Sequence, residues 1–254
     1  MLLSRGNPFR ISLCIIVILF GNTLYAEDIL VAAASNLSPV MPYISERFYE
    51  STGHNIILSY SSTTRLTNLI RNDAPYEVFI SADSKSIISL INEGFISPED
   101  AYIYAQGRLV LFANFNVSNL SEEEVLFHPL VNKIAIANPI YAPYGLAAFE
   151  YMNHNYNYDE FDNKIVFGAN VAQAFQYVEM GVAELGFTPL SFMINGSVTH
   201  DNYKIIDTIT YPPINQMIGL LKNSSISLVP RLFYDFMRTE LVVNYLNDNG
   251  YRSP

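Results

Sequence analysis

Short apolar runs alternate with amphipathic stretches along most of this chain. The first apolar run, Ile29–Val31, has the length and composition of a buried strand. Apolar residues then recur at helical spacing, at Leu37, Met41, Ile44 and Phe48. Further strand-like runs lie at 55–60, 77–81, 109–112, 133–137, 164–167, 184–188 and 214–221, most of them followed by a helical pattern, and 227–248 is typical of two closing helices. Strands interleaved with helices at this spacing predict an α/β fold built from parallel βαβ units.

The chain lacks a Pro-rich or Ser-rich linker, so two lobes would have to be joined by strands that cross between them. The apolar strands Leu109–Phe112 and Ile214–Leu221 are the candidates for the outward and return crossings. These crossings predict one lobe from 27–108 plus 217–254 and a second lobe from 109–216. Each lobe would be an α/β unit, with a ligand cleft between them at the carboxyl ends of the strands.

The first 26 residues have the pattern of an export signal. Arg5 and Arg10 give a positive start, and the apolar run Ile11–Phe20 follows. Leu24–Ala26 offers the small residue that a cleavage site needs. The apolar run is too short to span a bilayer comfortably, and no comparable run follows it. Cys14, the single cysteine, lies in this run without the context of a lipoprotein site, so we expect an exported protein without disulfides.

Acidic residues outnumber basic ones in this chain. The formal net charge is −10, and it becomes −12 once the export segment, which carries Arg5 and Arg10 and no acid, is removed. Such a surface argues against nucleic acids and anionic membranes as partners. An anionic ligand would have to be held by local dipoles and hydrogen bonds, against a net field that salt screens beyond about 10 Å.

Four turns share one pattern, in which small, amide or hydroxyl residues precede a predicted helix. The turns contain Ser35-Asn36, Ser62-Thr63, Pro143-Tyr144 and Asn170-Val171. The first backbone N–H groups of a helix have no intrahelical acceptor and lie at the positive end of the helix dipole, so they can bind an anion. Each turn alone is more simply a helix cap. An anion that is bound from both sides of a cleft requires donors from both halves of the chain, and two of the four turns lie in each half.

A catalytic constellation is not evident in the sequence. The histidines His54, His128, His154 and His200 lie far apart and mostly beside polar or turn residues. There is no G-x-S-x-G, H-E-x-x-H or phosphate-loop motif. Asp83 could act as an acid, but a helix N-cap is the simpler interpretation. We therefore expect a binding protein and not an enzyme, with no cofactor and no residue that ligates a metal directly.

Five stretches of the chain resemble one known family. They are VAAASNLSPVM, SYSSTTRLTNLIRNDAPYEVFISAD, NPIYAPYG, NVAQAF and YPPINQMIGLLK, of which VFISAD with its upstream AP is the most specific. The resemblance is to the periplasmic molybdate-binding proteins of bacterial ABC importers, and it covers essentially the whole chain after the export segment. It implies a two-lobed periplasmic-binding-protein fold, in which each lobe is a mixed, mostly parallel sheet flanked by helices and two crossing strands form the hinge. It also implies a periplasmic monomer that captures molybdate or tungstate and delivers it to an inner-membrane permease.

The same resemblance assigns residues to the oxyanion, which this family holds with hydroxyls and main-chain amides and without salt bridges. By position, the hydroxyl ligands fall on Ser35 and on Thr63, with Ser62 beside it. The main-chain amides fall on Tyr144 and Val171.

Two positions depart from the family's pattern. Many members place a tyrosine hydroxyl after the strand that is 184–188 here, whereas this chain has Thr188 followed by Pro189, which has no N–H to donate. Asn36 is the candidate replacement, since its side-chain NH2 could supply the extra donor. Glu77 stands where an aspartate is common, and we interpret it as structural.

Other ligands and roles stay open at this point. Sulfate or phosphate bound in the same fold is the nearest alternative. Molybdate, tungstate and sulfate are fully deprotonated at neutral pH and suit a donor-only site, whereas hydrogen phosphate keeps a proton that needs an acceptor. The four turns contain no carboxylate, which disfavours phosphate. A lobe repurposed as a sensor or adhesin without a transport role is a second alternative.

Overall fold

The computed structural model describes residues 26–196, 198–222 and 227–254, which form two α/β lobes. The predicted export segment therefore lies outside the described residues, apart from Ala26. The strands are β1 (Asp28–Ala34), β2 (Asn55–Ser61), β3 (Val78–Ile80), β4 (Ile96–Gly107), β5 (Leu109–Ala113), β6 (Ile134–Ala137), β7 (Ile165–Gly168), β8 (Leu185–Pro189), β9 (Tyr203–Ile205) and β10 (Ile214–Leu221). The helices are α1 (Met41–Thr52), α2 (Thr63–Arg71), α3 (Ser84–Asn92), α4 (Glu122–Leu126), α5 (Pro143–Asn155), α6 (Val171–Glu179), α7 (Leu190–Asn195), α8 (Val229–Phe236) and α9 (Glu240–Asp248).

Each lobe is built on a five-stranded mixed sheet. The first sheet has the order β2-β1-β3-β10-β4 and the second the order β7-β6-β8-β5-β9. In the first sheet β10 is antiparallel to both of its neighbours, and in the second sheet β5 is. The other four strands of each sheet share one direction, so the predicted fold of two mixed, mostly parallel sheets flanked by helices is confirmed.

The chain passes between the lobes in two short connections. β4 ends in the first sheet at Gly107 and β5 begins in the second sheet at Leu109, so the outward passage is Arg108. The return passage is 206–213, between β9 and β10. The two strands predicted as crossings, β5 and β10, therefore each belong to one sheet and lie directly after a crossing. The predicted lobe boundary after residue 216 falls inside β10, which is continuous from Ile214.

β4 is a strand that the hydrophobic pattern does not indicate. It contains Pro98, Glu99 and Asp100, which are unfavourable inside a sheet. Because β4 is the edge strand of its sheet, its free side tolerates a proline and charges. Its pairing with β10 is also irregular, with two register shifts.

The hydrophobic cores lie against the two sheets. One cluster fills the second lobe, and two clusters cover the two faces of the first sheet. α1 begins at Met41, four residues later than the apolar spacing from Leu37 suggests, because Ser35–Leu37 forms a separate 3-10 turn after β1. None of the helices in the described ranges combines the length and apolarity that a membrane crossing needs.

Candidate functional site

The four predicted turns meet at one small cavity between the lobes, here called the inner cavity. β1 and β2 are parallel and in register, with Ala34 opposite Ser61, so the turns that follow them lie side by side. β6 and β7 repeat this arrangement in the second lobe, with Ala137 opposite Gly168. The lining contains all six predicted residues, Ser35, Asn36, Ser62, Thr63, Tyr144 and Val171, with Ala34, Ala82, Ala142 and Pro143. The cavity volume of about 10 Å³ is close to the least that holds one water molecule.

The first lobe contributes three hydroxyl-bearing residues. Ser35 opens the 3-10 turn directly after β1. Ser62 occupies the N-cap position of α2, yet its side chain makes no capping hydrogen bond. Thr63 is the first residue of α2, and its Oγ1 accepts one long hydrogen bond, 3.4 Å, from the amide of Ala82. Within the described residues none of the three hydroxyls donates a hydrogen bond to the protein, so each can donate to an anion.

The second lobe contributes two helix N-termini. Pro143 is the first residue of α5, and Tyr144 is the second. Val171 is the first residue of α6, whose N-cap Asn170 accepts a hydrogen bond from Gln173 N at 3.0 Å. The first-turn amides of Tyr144 and Val171 have no intrahelical acceptor, and the helix dipoles make both positions favourable for an anion. The structure therefore brings two turns from each lobe to the inner cavity, and the role of their residues as ligand donors stays a prediction.

Asn36 has its side-chain NH2 group occupied by the protein. It is fully buried, and its Nδ2 donates to Gln216 Oε1 at 2.8 Å and to the Tyr251 hydroxyl at 3.3 Å. The Tyr251 hydroxyl in turn donates to the carbonyl oxygen of Asn36 at 2.9 Å. Asn36 Oδ1 has no hydrogen-bond partner among the described residues. Both hydrogens of this amide therefore already have acceptors within the protein. The role of Asn36 as the extra ligand donor stays a prediction.

A buried polar network behind the inner cavity connects the two lobes through Gln216. This side chain, in β10, is fully buried. Its Oε1 accepts from the Tyr104 hydroxyl at 2.7 Å as well as from Asn36, and its Nε2 donates to the Tyr144 hydroxyl at 3.0 Å. Burial raises the pKa of the Tyr104, Tyr144 and Tyr251 hydroxyls above the usual value, so the network is neutral at physiological pH.

This network is not evident from the sequence. Gln216 gave one local signal, a polar side chain inside the apolar run Ile214–Leu221. Tyr104 and Tyr251 have no such local signal, because they are two of eighteen tyrosines in the chain. Tyr104 lies far from Gln216 along the chain, and Tyr251 lies far from Asn36.

The position of the absent tyrosine does not reach the inner cavity. Thr188 is buried in β8, and its Oγ1 has no partner among the described residues. Ser191, three residues later in α7, donates to the carbonyl oxygen of Asn36 at 3.3 Å. This part of the second lobe therefore contacts the backbone of Asn36, and Pro189 does not line the inner cavity.

Two acidic residues have the structural roles that were predicted. The Glu77 carboxylate accepts a hydrogen bond from Leu30 N at 2.9 Å and so connects β3 to β1. Asp83 caps α3, accepting from Ser86 N at 2.8 Å. Among the described residues there is no group of three or more His, Cys, Asp or Glu that could hold a metal ion.

Direct hydrogen bonds close the cleft beside the inner cavity. In the first lobe, the Thr64 amide donates to the carbonyl oxygen of Tyr141 at 3.2 Å, and its hydroxyl donates to that of Ile140 at 3.4 Å. Both acceptors belong to the second lobe, in the turn before α5. The lobes are therefore in direct contact between the start of α2 and the turn before α5.

Comparison with known proteins shows similarity to molybdate-binding proteins along nearly the whole chain. The molybdate-binding protein ModA of Azotobacter vinelandii is 31% identical over 227 residues, which cover 89% of this chain and 90% of the relative. The ModA protein of Rhodobacter capsulatus is 29% identical over 226 residues, covering 89% and 88%. The solved structure of the Azotobacter vinelandii periplasmic molybdate-binding protein superposes with a TM-score of 0.84 at 30% identity, covering 89% of this chain and 99% of that one.

A family model supports this relationship independently. The model described as bacterial extracellular solute-binding protein matches residues 29–252, which include both lobes and all four donor turns. The match extends from β1 to the segment after α9. This chain belongs to the family of bacterial extracellular solute-binding proteins.

Proposed function

We propose that this protein captures molybdate, and tungstate with it, in the inner cavity and delivers it to the permease of an ABC importer. The observation that carries the proposal is the convergence of four donor turns, two from each lobe, on one cavity without a carboxylate. The homologous ModA proteins, named as molybdate-binding, support the choice of ligand. The export pattern of residues 1–26 and the Azotobacter vinelandii protein, named as periplasmic, support a periplasmic location.

The ligand chemistry follows from the donors. Ser35, Ser62 and Thr63 can donate through hydroxyls, and Tyr144 and Val171 through backbone amides. A fully deprotonated oxyanion accepts all of these hydrogen bonds, whereas hydrogen phosphate would also need an acceptor for its proton. Five charge-assisted hydrogen bonds of about 1.5 to 3 kcal/mol each are sufficient for micromolar or tighter binding after the entropic cost of closure.

The working cycle is capture and release, without catalysis and without a cofactor. Hydrogen bonds from Thr64 to the carbonyl oxygens of Tyr141 and Ile140 close the cleft beside the inner cavity, so an oxyanion has no wide entrance while the lobes are closed. The ligand therefore binds when the lobes separate, and closure brings the amides of Tyr144 and Val171 onto it. The closed monomer then docks on the permease, where opening releases the ligand.

Isothermal titration with molybdate, tungstate, sulfate and phosphate tests this function. Molybdate and tungstate are expected to bind at micromolar or lower Kd, and phosphate is expected to give no heat. Sulfate is the second candidate, because the carboxylate-free lining suits any deprotonated oxyanion. Tight sulfate binding without a response to molybdate would replace the proposed ligand.

Affinity for the oxyanion is expected to be constant between pH 6 and 9. Tyr144 is the single ionisable residue in the lining of the inner cavity, and burial raises the pKa of its hydroxyl. It stays protonated across this range. Since the folded pKa of Tyr144 lies above the unfolded value of about 10, the unfolded chain loses this proton first, and the contribution of Tyr144 to the free energy of unfolding falls only above about pH 10. Calorimetric titrations with molybdate at pH 6, 7.5 and 9 check this. A tenfold change in Kd would show that a further ionisable residue contributes to binding.

Asn36→Ala is expected to weaken oxyanion binding by about 1 to 3 kcal/mol if the Asn36 side chain donates to the ligand. The structure adds a second expected effect. Loss of the amide leaves Gln216 Oε1 with one donor fewer, so the free energy of unfolding should fall as well. Calorimetric titration and urea unfolding separate the two effects, with the exposed Asn153→Ala as control. Reduced stability at unchanged affinity would assign Asn36 to the scaffold alone.

A further inference from the structure

In the part of the chain that the structure describes, three openings of the interlobe cleft share lining residues with the inner cavity, and they differ in their charged side chains. The largest, about 650 Å³, shares Ser62 with the inner cavity. The other two, of about 290 and 210 Å³, share Pro143 with it, and both are lined by Asp83 and Lys85, the first also by Arg71. The largest opening is here called the amide mouth, and its lining is Ser61, Ser62, Thr64, Arg65, Asn68, Leu69, Asn72, Asn138, Tyr141, Phe167, Gly168, Ala169, Asn170 and Gln173. It contains no carboxylate, in a chain of net charge −10.

Asn138, Asn170 and Gln173, which line the second-lobe side of the amide mouth, have their side-chain oxygen atoms occupied. Asn138 Oδ1 accepts from the amide of Ile140 at 3.0 Å, and Asn170 Oδ1 accepts from that of Gln173 at 3.0 Å. Gln173 Oε1 accepts from the amide of Ala169 at 2.6 Å. A backbone N–H can only donate, so the atom facing it must be the oxygen, and this settles the orientation of each amide group. The NH2 groups of these three residues remain for a ligand, so the second-lobe side of the mouth offers donors, whereas the Asn72 NH2 group donates to the carbonyl oxygen of Asn68.

Arg65 adds a positive charge to these donors. It lies on the exposed face of α2, and among the described residues it has neither an ion pair nor a hydrogen bond. Arg71 on the same helix is instead paired with Glu93 at 2.5 Å. An unpaired guanidinium beside free NH2 groups is chemically an anion site, and its position next to Ser62 places it beside the inner cavity.

We propose that the amide mouth is an outer anion site, which the oxyanion occupies before it passes into the inner cavity. The identity of the ligand rests on the proposed function. Arg65 and the NH2 groups of Asn138, Asn170 and Gln173 attract the divalent anion to this opening, which presents no carboxylate, whereas the Asp83 carboxylate offsets the charge of Lys85 in the other two. The outer site thus offsets locally the negative field of the whole chain. Because the attraction acts on approach, it raises the association rate and leaves the closed complex little changed.

Stopped-flow mixing with molybdate tests the outer site through tyrosine fluorescence, since the chain has eighteen tyrosines and no tryptophan. Arg65→Gln is expected to slow association about fivefold at 10 mM salt and by less than twofold at 500 mM, because salt screens the charge. Arg65→Lys keeps the positive charge and should retain most of the wild-type association rate. Lys204→Gln is the matched control, since it removes the same charge from the edge strand β9 outside all three openings. Equal slowing by both glutamine variants, or no slowing by Arg65→Gln, overturns the proposal.

Asn138→Asp tests the amide donors without removing a backbone contact. The aspartate keeps an oxygen for the amide of Ile140 and replaces the NH2 group with a negative charge. Association with molybdate should slow about fivefold or more at low salt. Asn116→Asp is the matched control, because Asn116 Oδ1 accepts from the amide of Ser118 at 2.9 Å in a loop outside the mouth. Equal rates for the two variants contradict the assignment.

Chloride-35 line broadening provides a readout that does not depend on molybdate. Exchange of chloride at the outer site should broaden the line for the wild-type protein and less for Arg65→Gln, with Lys204→Gln resembling the wild type. Equal broadening in all three overturns the outer site. Broadening that depends on Arg65, together with no response to molybdate, would refute the proposed ligand and retain the outer site.

Discussion

Gly145→Ala is expected to weaken oxyanion binding at least tenfold and to lower the free energy of unfolding by about 1 to 3 kcal/mol. A Cβ at Gly145 would lie 2.0 Å from the carbonyl oxygen of Ala137 and 2.7 Å from its carbonyl carbon. Both atoms belong to the backbone of β6, so no side-chain rotation relieves the clash. α5 must move away from the sheet, and it carries the Tyr144 amide out of the inner cavity. A shift of a few tenths of an ångström in a preorganised donor is enough to weaken a hydrogen bond.

Urea unfolding and calorimetric titration measure the two effects of Gly145→Ala separately. Asn153→Ala is the matched control, because it introduces the same side chain at an exposed position of the same helix. The control should keep wild-type affinity and stability. Wild-type affinity in Gly145→Ala would show that the position of α5, and therefore the Tyr144 amide, contributes little to binding.

The donor turns could be predicted because each depends on a local pattern. A buried strand, a turn of small or hydroxyl residues and an amphipathic helix follow one another within about twenty residues. Ser35 and Ser62 come together because β1 and β2 are parallel neighbours in register, which βαβ connectivity favours. The local pattern therefore positions the carboxyl ends of the strands, and the site follows from that.

The route of the chain between the lobes was less accessible to sequence reasoning. β10 is one unbroken strand from Ile214 to Leu221, and its sequence does not mark where one lobe ends. Its hydrogen bonds to β3 and β4 place the whole strand in the first lobe. β4 itself is polar enough to resemble a loop, and its position at the sheet edge makes that composition acceptable.

Asn36 illustrates how local reasoning assigns a donor and misses its acceptors. One residue from Ser35, its amide was a reasonable replacement for a missing tyrosine. The structure directs that amide towards Gln216 and Tyr251, 180 and 215 residues away along the chain. No spacing rule connects such residues, since their contact depends on the packing of the C-terminal segment and β10 against the first turn.

Gln216→Met is expected to lower the free energy of unfolding by about 3 kcal/mol or more and to raise the Kd of the oxyanion at least tenfold. The methionine removes one hydrogen-bond partner from each of three buried groups: Asn36 Nδ2, the Tyr104 hydroxyl and the Tyr144 hydroxyl. Each unsatisfied buried donor or acceptor costs about 1 to 3 kcal/mol. Asn36 and Tyr144 both line the inner cavity, so their displacement also disturbs the binding site.

Gln106→Met is the matched control for Gln216→Met. Gln106 lies on the facing strand β4, is only half-buried and donates to a single partner, Asn215 Oδ1. The same substitution there should change stability by less than about 1 kcal/mol. Because Gln216 belongs to the first lobe and Tyr144 to the second, Gln216→Met should also destabilise the closed form and raise the dissociation rate of the oxyanion more than it lowers the association rate. If stability is within about 0.5 kcal/mol of the wild type, the buried network does not hold the lobes together, and the donor turns alone must define the closed state.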